Sequence, residues 1–230
     1  MAIDVGETPA SVEGLDAFRL TREYLKQQTE LGLTHLPAAS ANASAEHRLA
    51  TFHDSIRNCQ ACRLSKGRRV VVFGSGCPTA DVLFVGEAPG KDEDLQGLPF
   101  VGAAGALLTR MIESIGLRRD DVYIANVIRC RPPNNRDPEP DEISKCEPYL
   151  HRQVEIISPI VICSLGRFAA QVLLQTNESM GKLRGRLFAY RGIKLIPTYH
   201  PAALLRNAHW KRPAWNDLNL LRSEYDRLRQ

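Results

Sequence analysis

No apolar run in the 230 residues approaches the roughly 20 needed to cross a bilayer. The opening stretch, MAIDVGETPA, lacks a basic segment followed by an apolar one, so no secretory signal is expected. A cytoplasmic protein with no membrane partner is the expectation. No internal repeat is visible, which sets aside repeat architectures. Without a signal peptide, the six cysteines are expected to stay reduced, as metal ligands or small core residues rather than disulfides. What is present is ordinary in bulk: 43% hydrophobic and 24% charged residues, enough for one domain with a sizeable core. The net charge of +4 is uneven. Residues 1–50 hold seven acids and four bases, and the remainder holds 26 bases and 19 acids. A basic body points to an anionic partner such as nucleic acid, or to a solvated basic surface.

Along the chain, residues 14–33 have a partly helical spacing of Leu15, Phe18, Leu20, Tyr24, Leu25 and Leu31. LPAASANASAEH (36–47) is rich in Ala, Ser and Asn and reads as a flexible linker. Beyond it, HRLATFHDSIRNC reads as a helix that delivers Cys59 and Cys62. ADVLFVGEAPG is a buried strand entering a glycine-rich turn, and AGALLTRMIESIGL is a helix with Gly116 near its end. DVYIANVIRC, PIVICSLG and RGIKLIPTYHP read as three further strands. DEISKCEPYLHRQVEII, RFAAQVLLQ and the tail read as helices. Strands alternating with helices predict a three-layer α/β/α fold around a parallel sheet covered on both faces. In such sheets chemistry gathers at the C-terminal strand edge. GEAPG, Asn126 and the YHP of the fourth strand all fall there.

Cys59 and Cys62 form a C-x2-C pair, and Cys130 and Cys146 follow much later. Four thiolates can hold a [4Fe–4S] cluster or a zinc ion, and the spacing alone does not choose between them. Cys163 lies in an apolar strand and Cys77 in a turn-like stretch, so both are left out of the set. The segment RPPNNRDPEPDEISK between Cys130 and Cys146 cannot build a core of its own. Ligands at both its ends would order it as a loop carrying Arg131 and Arg136.

GEAPGKDEDLQGLPFVGAAG (86–105), NVIRCRPPNNR (126–136) and HPAALLR (200–206) closely resemble family 4 uracil-DNA glycosylases. The resemblance covers about residues 52–222. It implies an N-terminal extension and linker at 1–47, then a glycosylase domain at 48–230 with a central four-stranded parallel sheet. It also implies a [4Fe–4S] cluster on Cys59, Cys62, Cys130 and Cys146. The expected activity is hydrolysis of the N-glycosidic bond of uracil in DNA, as in base excision repair, by a monomer working at the nucleoid. A related cross-linking group carries a histidine in the loop after the second strand. RPPNNRDPEP has none, and GEAPG replaces that group's GEQPG, so cross-linking is disfavoured.

The same resemblance assigns roles. Asn126 resembles the uracil-reading asparagine, although without the resemblance an asparagine at a strand end is better read as capping a turn. Phe100 resembles the stacking aromatic, and Gly86 and Ala88 border the pocket. Glu93 is expected to border C5 of the base. His200 is the donor to uracil O2. Glu87 orients water or stabilises the sugar cation. Leu204, Leu205 and Arg206 are the expected wedge in the vacated stack, against a reading in which the leucines pack into the core. Arg131 and Arg136 are expected to face DNA. The competing function is an iron–sulfur module that binds uracil-containing DNA without turning it over.

Overall fold

The structure is a computed structural model that describes residues 43–230. The helical reading of 14–33 therefore lies outside the described residues. The first element is helix α1 (Ala45–Ile56), capped by Ser44, whose hydroxyl accepts the His47 amide. It starts two residues before the HRLATF segment and stops short of Cys59, because Ser44 supplies the cap inside the stretch read as linker.

Six strands form one sheet: β1 (Ser75–Gly76), β2 (Val82–Gly86), β3 (Tyr123–Asn126), β4 (Val161–Leu165), β5 (Phe188–Tyr190) and β6 (Ile193–Thr198). Their order is β1-β3-β2-β4-β6-β5. The inner four, β3-β2-β4-β6, are parallel, matching the expected four-stranded core. The edges β1 and β5 are antiparallel and very short, so no periodic pattern marked them in the sequence. The helices that follow α1 are α2 (Lys91–Gln96), α3 (Ala103–Ser114), α4 (Pro140–Ile157), α5 (Arg167–Leu174), α6 (Met180–Leu183), α7 (Pro201–Arg206) and α8 (Lys211–Leu228). No helix among the described residues is long and apolar enough to cross a membrane.

Alternate residues of each inner strand enter different cores, as the period of two requires. Leu83, Val85, Ala125, Ile162 and Leu195 pack with α1, α4 and α5 on one face. Val82, Phe84, Ile124, Cys163 and Ile196 pack with α3, α7 and α8 on the other. From β2 the chain moves outward to β3, whereas from β4 it moves to β6 on the opposite side. The carboxyl ends of β2 and β4 therefore flank the point where a doubly wound sheet opens a crevice.

Candidate active site at the sheet edge

Gly86 ends β2 and pairs in register with Asn126, the last residue of β3. A Cβ on Gly86 would overlap Asn126 Oδ1 and come within 2.7 Å of the Phe100 ring. Only glycine lets the carboxamide and the ring meet at this point. Asn126 is 2% exposed, and its Oδ1 is buried with no hydrogen-bond partner among the described residues. An orphaned buried acceptor costs about 1–3 kcal/mol, so it marks a place where a donor is meant to arrive.

Phe100 has φ 54, a left-handed conformation that is strained for a bulky residue. Arg119 holds it there by donating from one guanidinium nitrogen to the carbonyls of Pro99 (2.8 Å) and Phe100 (3.1 Å). Glu93 closes the other side of the same loop. Its carboxylate accepts from the backbone amides of Gly90 (3.1 Å), Val101 (3.1 Å) and Gly102 (3.4 Å). Glu93 is thus a clamp between the GEAPG turn and the Phe100 segment. Ala88, in that turn, packs against the core that contains α4.

His200 caps α7, and its Nδ1 accepts the Ala202 amide at 3.1 Å. That bond assigns the ring proton to Nε2. Burial, with Arg206 adding to it, pushes the imidazole pKa down to about 4, so the ring is neutral at physiological pH. Its centroid lies 5.4 Å from that of Phe100, tilted by 33°. Gly166, at the end of β4 with φ +92, would place a Cβ 2.9 Å from His200 Cβ, so the absence of a side chain there lets the histidine backbone approach.

Glu87 follows Gly86 and is half-buried. Burial, reinforced by the Asp137 charge and opposed by Arg167, raises its pKa from 4.5 to about 7. Asp137 and Arg167 are themselves 3.4 Å apart. The ends of four neighbouring strands thus bring Glu87, Asn126, Arg167 and His200 to one edge, with Phe100 reaching in from the loop after β2.

The outer positions divide. Leu204 is 2% exposed and packs in the α3–α8 core, so it is not available as a wedge; Leu205 beside it is 48% exposed. Successive positions on a helix face about 100° apart, so one leucine is buried while the next is exposed, which leaves a single apolar tip next to exposed Arg206. Arg136 donates two hydrogen bonds to Glu142 (2.9 and 2.6 Å), which is fully buried. Arg63 reaches the same carboxylate at 3.2 Å, tying the C-x2-C segment to the loop before α4. The Arg136 charge is therefore already balanced within the loop. Arg131 donates to Asn135 Oδ1 at 2.7 Å.

Cys59, Cys62, Cys130 and Cys146 line one pocket, together with Arg68, Arg129 and Tyr149. Cys163 sits in the opposite core and Cys77 bonds Thr79, so neither joins them. Donors point at the sulfurs: the Ala61 amide at Cys59 (3.5 Å), Arg68 at Cys130 (3.5 Å) and the Arg129 amide at Cys146 (3.2 Å). Among the described residues, no group of three or more His, Cys, Asp or Glu converges closely enough to hold a single metal ion.

Sequence reasoning missed Arg129. It is 1% exposed, its guanidinium donates to the Asn126 carbonyl and to Gln153 Oε1, and its Nε has no partner among the described residues. No carboxylate offsets this charge in its hydrogen bonds. A buried cation needs an anionic counterpart, and the cysteine-lined pocket beside it is where thiolates would supply one. The donor set and the unbalanced cation both fit a net-negative, cysteine-held group. The signal was a lone arginine inside the apolar run NVIRC.

A buried carboxamide, an aromatic ring, a carboxyl group and a neutral histidine at one sheet edge define a receptor for a flat ring with hydrogen-bonding edges. Comparison with known proteins names its kind. The model of the uracil DNA glycosylase superfamily matches residues 73–219. The chain is 52% identical over 163 residues to the type-4 uracil-DNA glycosylase of Saccharolobus solfataricus, covering 67% of this chain and 76% of that protein. It is 52% identical over 158 residues to the type-4 enzyme of Archaeoglobus fulgidus, covering 65% and 79%. For the type-4 enzyme of Sulfurisphaera tokodaii the figures are 45% over 183 residues, 76% and 83%. The chain belongs to the type-4 uracil-DNA glycosylase family.

Proposed function

We propose that this chain removes uracil from DNA by hydrolysing its N-glycosidic bond, leaving an abasic site for base excision repair. The observation that carries the reading is the orphaned Asn126 Oδ1, set beside Phe100 and His200. An extruded uracil stacks on Phe100, a contact worth roughly 1–3 kcal/mol. Asn126 accepts from uracil N3–H and donates from Nδ2 to O4. Cytosine presents the opposite pattern and is refused. Gly86 and Ala88 form the pocket floor. Glu93 acts through its clamp, fixing the wall that a C5 methyl group would strike.

When the C1′–N1 bond breaks, its electron pair leaves with the base and negative charge grows on O2. The neutral His200 donates from Nε2–H to that oxygen, a contribution that strengthens only as charge develops. Water oxygen bonds to the sugar carbon and its proton passes to Glu87 or to solvent. The Glu87 carboxylate also offsets the positive sugar. Leu205 fills the gap in the stack, with Arg206 and Arg131 at the phosphates, while Arg136 stays on Glu142 and shapes the loop that carries Arg131. No lysine but Lys91 stands in the matched motifs, which supports a monofunctional enzyme without a lyase step.

Cys59, Cys62, Cys130 and Cys146 hold a [4Fe–4S] cluster in this reading, with Arg129 as its buried counter-charge. When bound, the cluster would cross-link the C-x2-C segment to α4 and to the loop 131–139 that precedes it. The protein works as a monomer at the nucleoid, on uracil-containing single- or double-stranded DNA.

The test is incubation with oligonucleotides carrying uracil, thymine or cytosine at one position, followed by alkali. Strand scission at uracil alone supports the enzyme. An intact uracil strand with a retained gel shift would make the chain a binding module instead.

A further inference from the structure

Residues 179–216 contain no Asp or Glu and eight Lys or Arg. Within them, RNAHWKRPAW (206–215) exposes Arg206, His209, Trp210, Lys211, Arg212 and Trp215 to solvent. These are the only two tryptophans of the chain, 38% and 43% exposed. A tryptophan left this open by a folded chain suggests a surface that takes a partner.

Trp210 is held, not loose. Its ring stacks on Tyr199 with centroids 4.7 Å apart and planes 6° from parallel. The Arg184 guanidinium packs over the same tyrosine, 5.6 Å from its centroid. Arg184 in turn donates to both oxygens of Asp217 (2.8 and 3.1 Å), which is 1% exposed and also accepts the Thr198 hydroxyl at 2.9 Å. A partly buried ion pair on the buried Asp217 therefore roots a stack that ends at an exposed indole. Tyr199 immediately precedes His200, so one peptide bond links the stack to the residue proposed to face uracil O2, and Leu205 lies on the short helix that joins His200 to Trp210.

An apolar flat surface ringed by cations fits a nucleobase on a phosphate backbone better than an acidic or apolar peptide, since each adjoining phosphate meets a lysine or arginine. A paired base inside a duplex has no free face to offer. We propose that Trp210, backed by Tyr199, is a stacking platform for an unpaired base neighbouring the extruded nucleotide, with Lys211 and Arg212 on the flanking phosphates. The platform directs the protein toward single-stranded or locally opened DNA. The inference deepens the uracil-DNA reading and rests on it.

The Trp215→Phe variant of the full chain leaves Trp210 as the sole tryptophan, so its emission reports this surface directly. Titration with uracil-free oligo-dT should quench it, and a blunt duplex of the same length should quench it much less. Trp210→Ala should weaken oligo-dT binding, read by anisotropy of a labelled strand, by about 5- to 150-fold, the worth of one base–aromatic stack. Trp210→Phe should restore most of the loss. Unchanged emission while anisotropy shows the strand bound would overturn the platform, as would equal affinity of the alanine variant. Because the strand carries no uracil, failure here is distinct from failure of the glycosylase reading, which a uracil strand tests separately.

Discussion

Replacing Glu87 with Gln should lower activity and raise stability together, because the same buried carboxyl governs both. Burial and the Asp137 charge raise its pKa from 4.5 to about 7. Between those values the folded protein binds more protons than the unfolded chain, so this group's contribution to stability falls as pH rises from about 4.5 through about 7. The full rise corresponds to about 3 kcal/mol at 1.4 kcal/mol per decade. Solvent beside the half-buried group screens part of this, leaving about 1–2 kcal/mol. Glu87→Gln removes that burden, so its Tm at pH 8 should exceed the parent's by about 2–8 °C, with the difference vanishing near pH 4.5. Activity should move the other way. If the carboxylate form is required, about a tenth of the enzyme is competent at pH 6 and about nine tenths at pH 8. Single-turnover kcat/KM on a uracil oligonucleotide should then rise about tenfold over that interval and level off. Between pH 6 and pH 8 His200 stays neutral, with its pKa near 4, and adds no limb of its own over that interval. Thermal scans and rate profiles of both proteins from pH 4.5 to 8.5 test this. A parent profile that is flat, or one that Glu87→Gln reproduces, would refute the assignment of Glu87 to the reaction.

His200→Ser should slow single-turnover uracil release about 100-fold or more, with affinity for a non-cleavable uracil analogue in DNA nearly unchanged; equal losses in both would contradict a role confined to the developing O2 charge. Asn126→Asp removes the donor to O4, so uracil release should fall by at least tenfold in the oligonucleotide assay, and unchanged release would displace Asn126 from the pocket. Leu204→Ala should cost about 2–5 kcal/mol in denaturant unfolding because it opens the core, whereas Leu205→Ala should leave unfolding unchanged and slow uracil release from duplex DNA. Cys130→Ala should abolish absorbance near 400 nm and lower Tm, and a stable, equally coloured variant would remove Cys130 from the ligand set.

Much of this was legible in the sequence because it rested on local patterns. The four inner strands and their covering helices follow from apolar runs of strand length alternating with helical periods. GEAPG, Asn126 and His200 were placed at the sheet edge by their position at strand ends, and the structure brings them together there with Phe100. What stayed hidden was relational. Nothing local distinguishes Leu204 from Leu205, since only the orientation of a six-residue helix decides which one meets α3 and α8. Arg119 is twenty residues from Pro99 and on a different element, so its hold on the strained Phe100 needs three dimensions to be seen. The bond from Arg129 to Gln153, on α4, likewise spans separate elements. Arg136 reads as a loop cation until the buried Glu142 appears opposite it.

A crystal structure of the protein soaked with free uracil addresses the pocket itself. Uracil should lie against the Phe100 ring, with N3–H on Asn126 Oδ1 and O2 facing His200 Nε2. Uracil bound elsewhere, or Asn126 Oδ1 satisfied by a protein donor with the base excluded, would contradict the account.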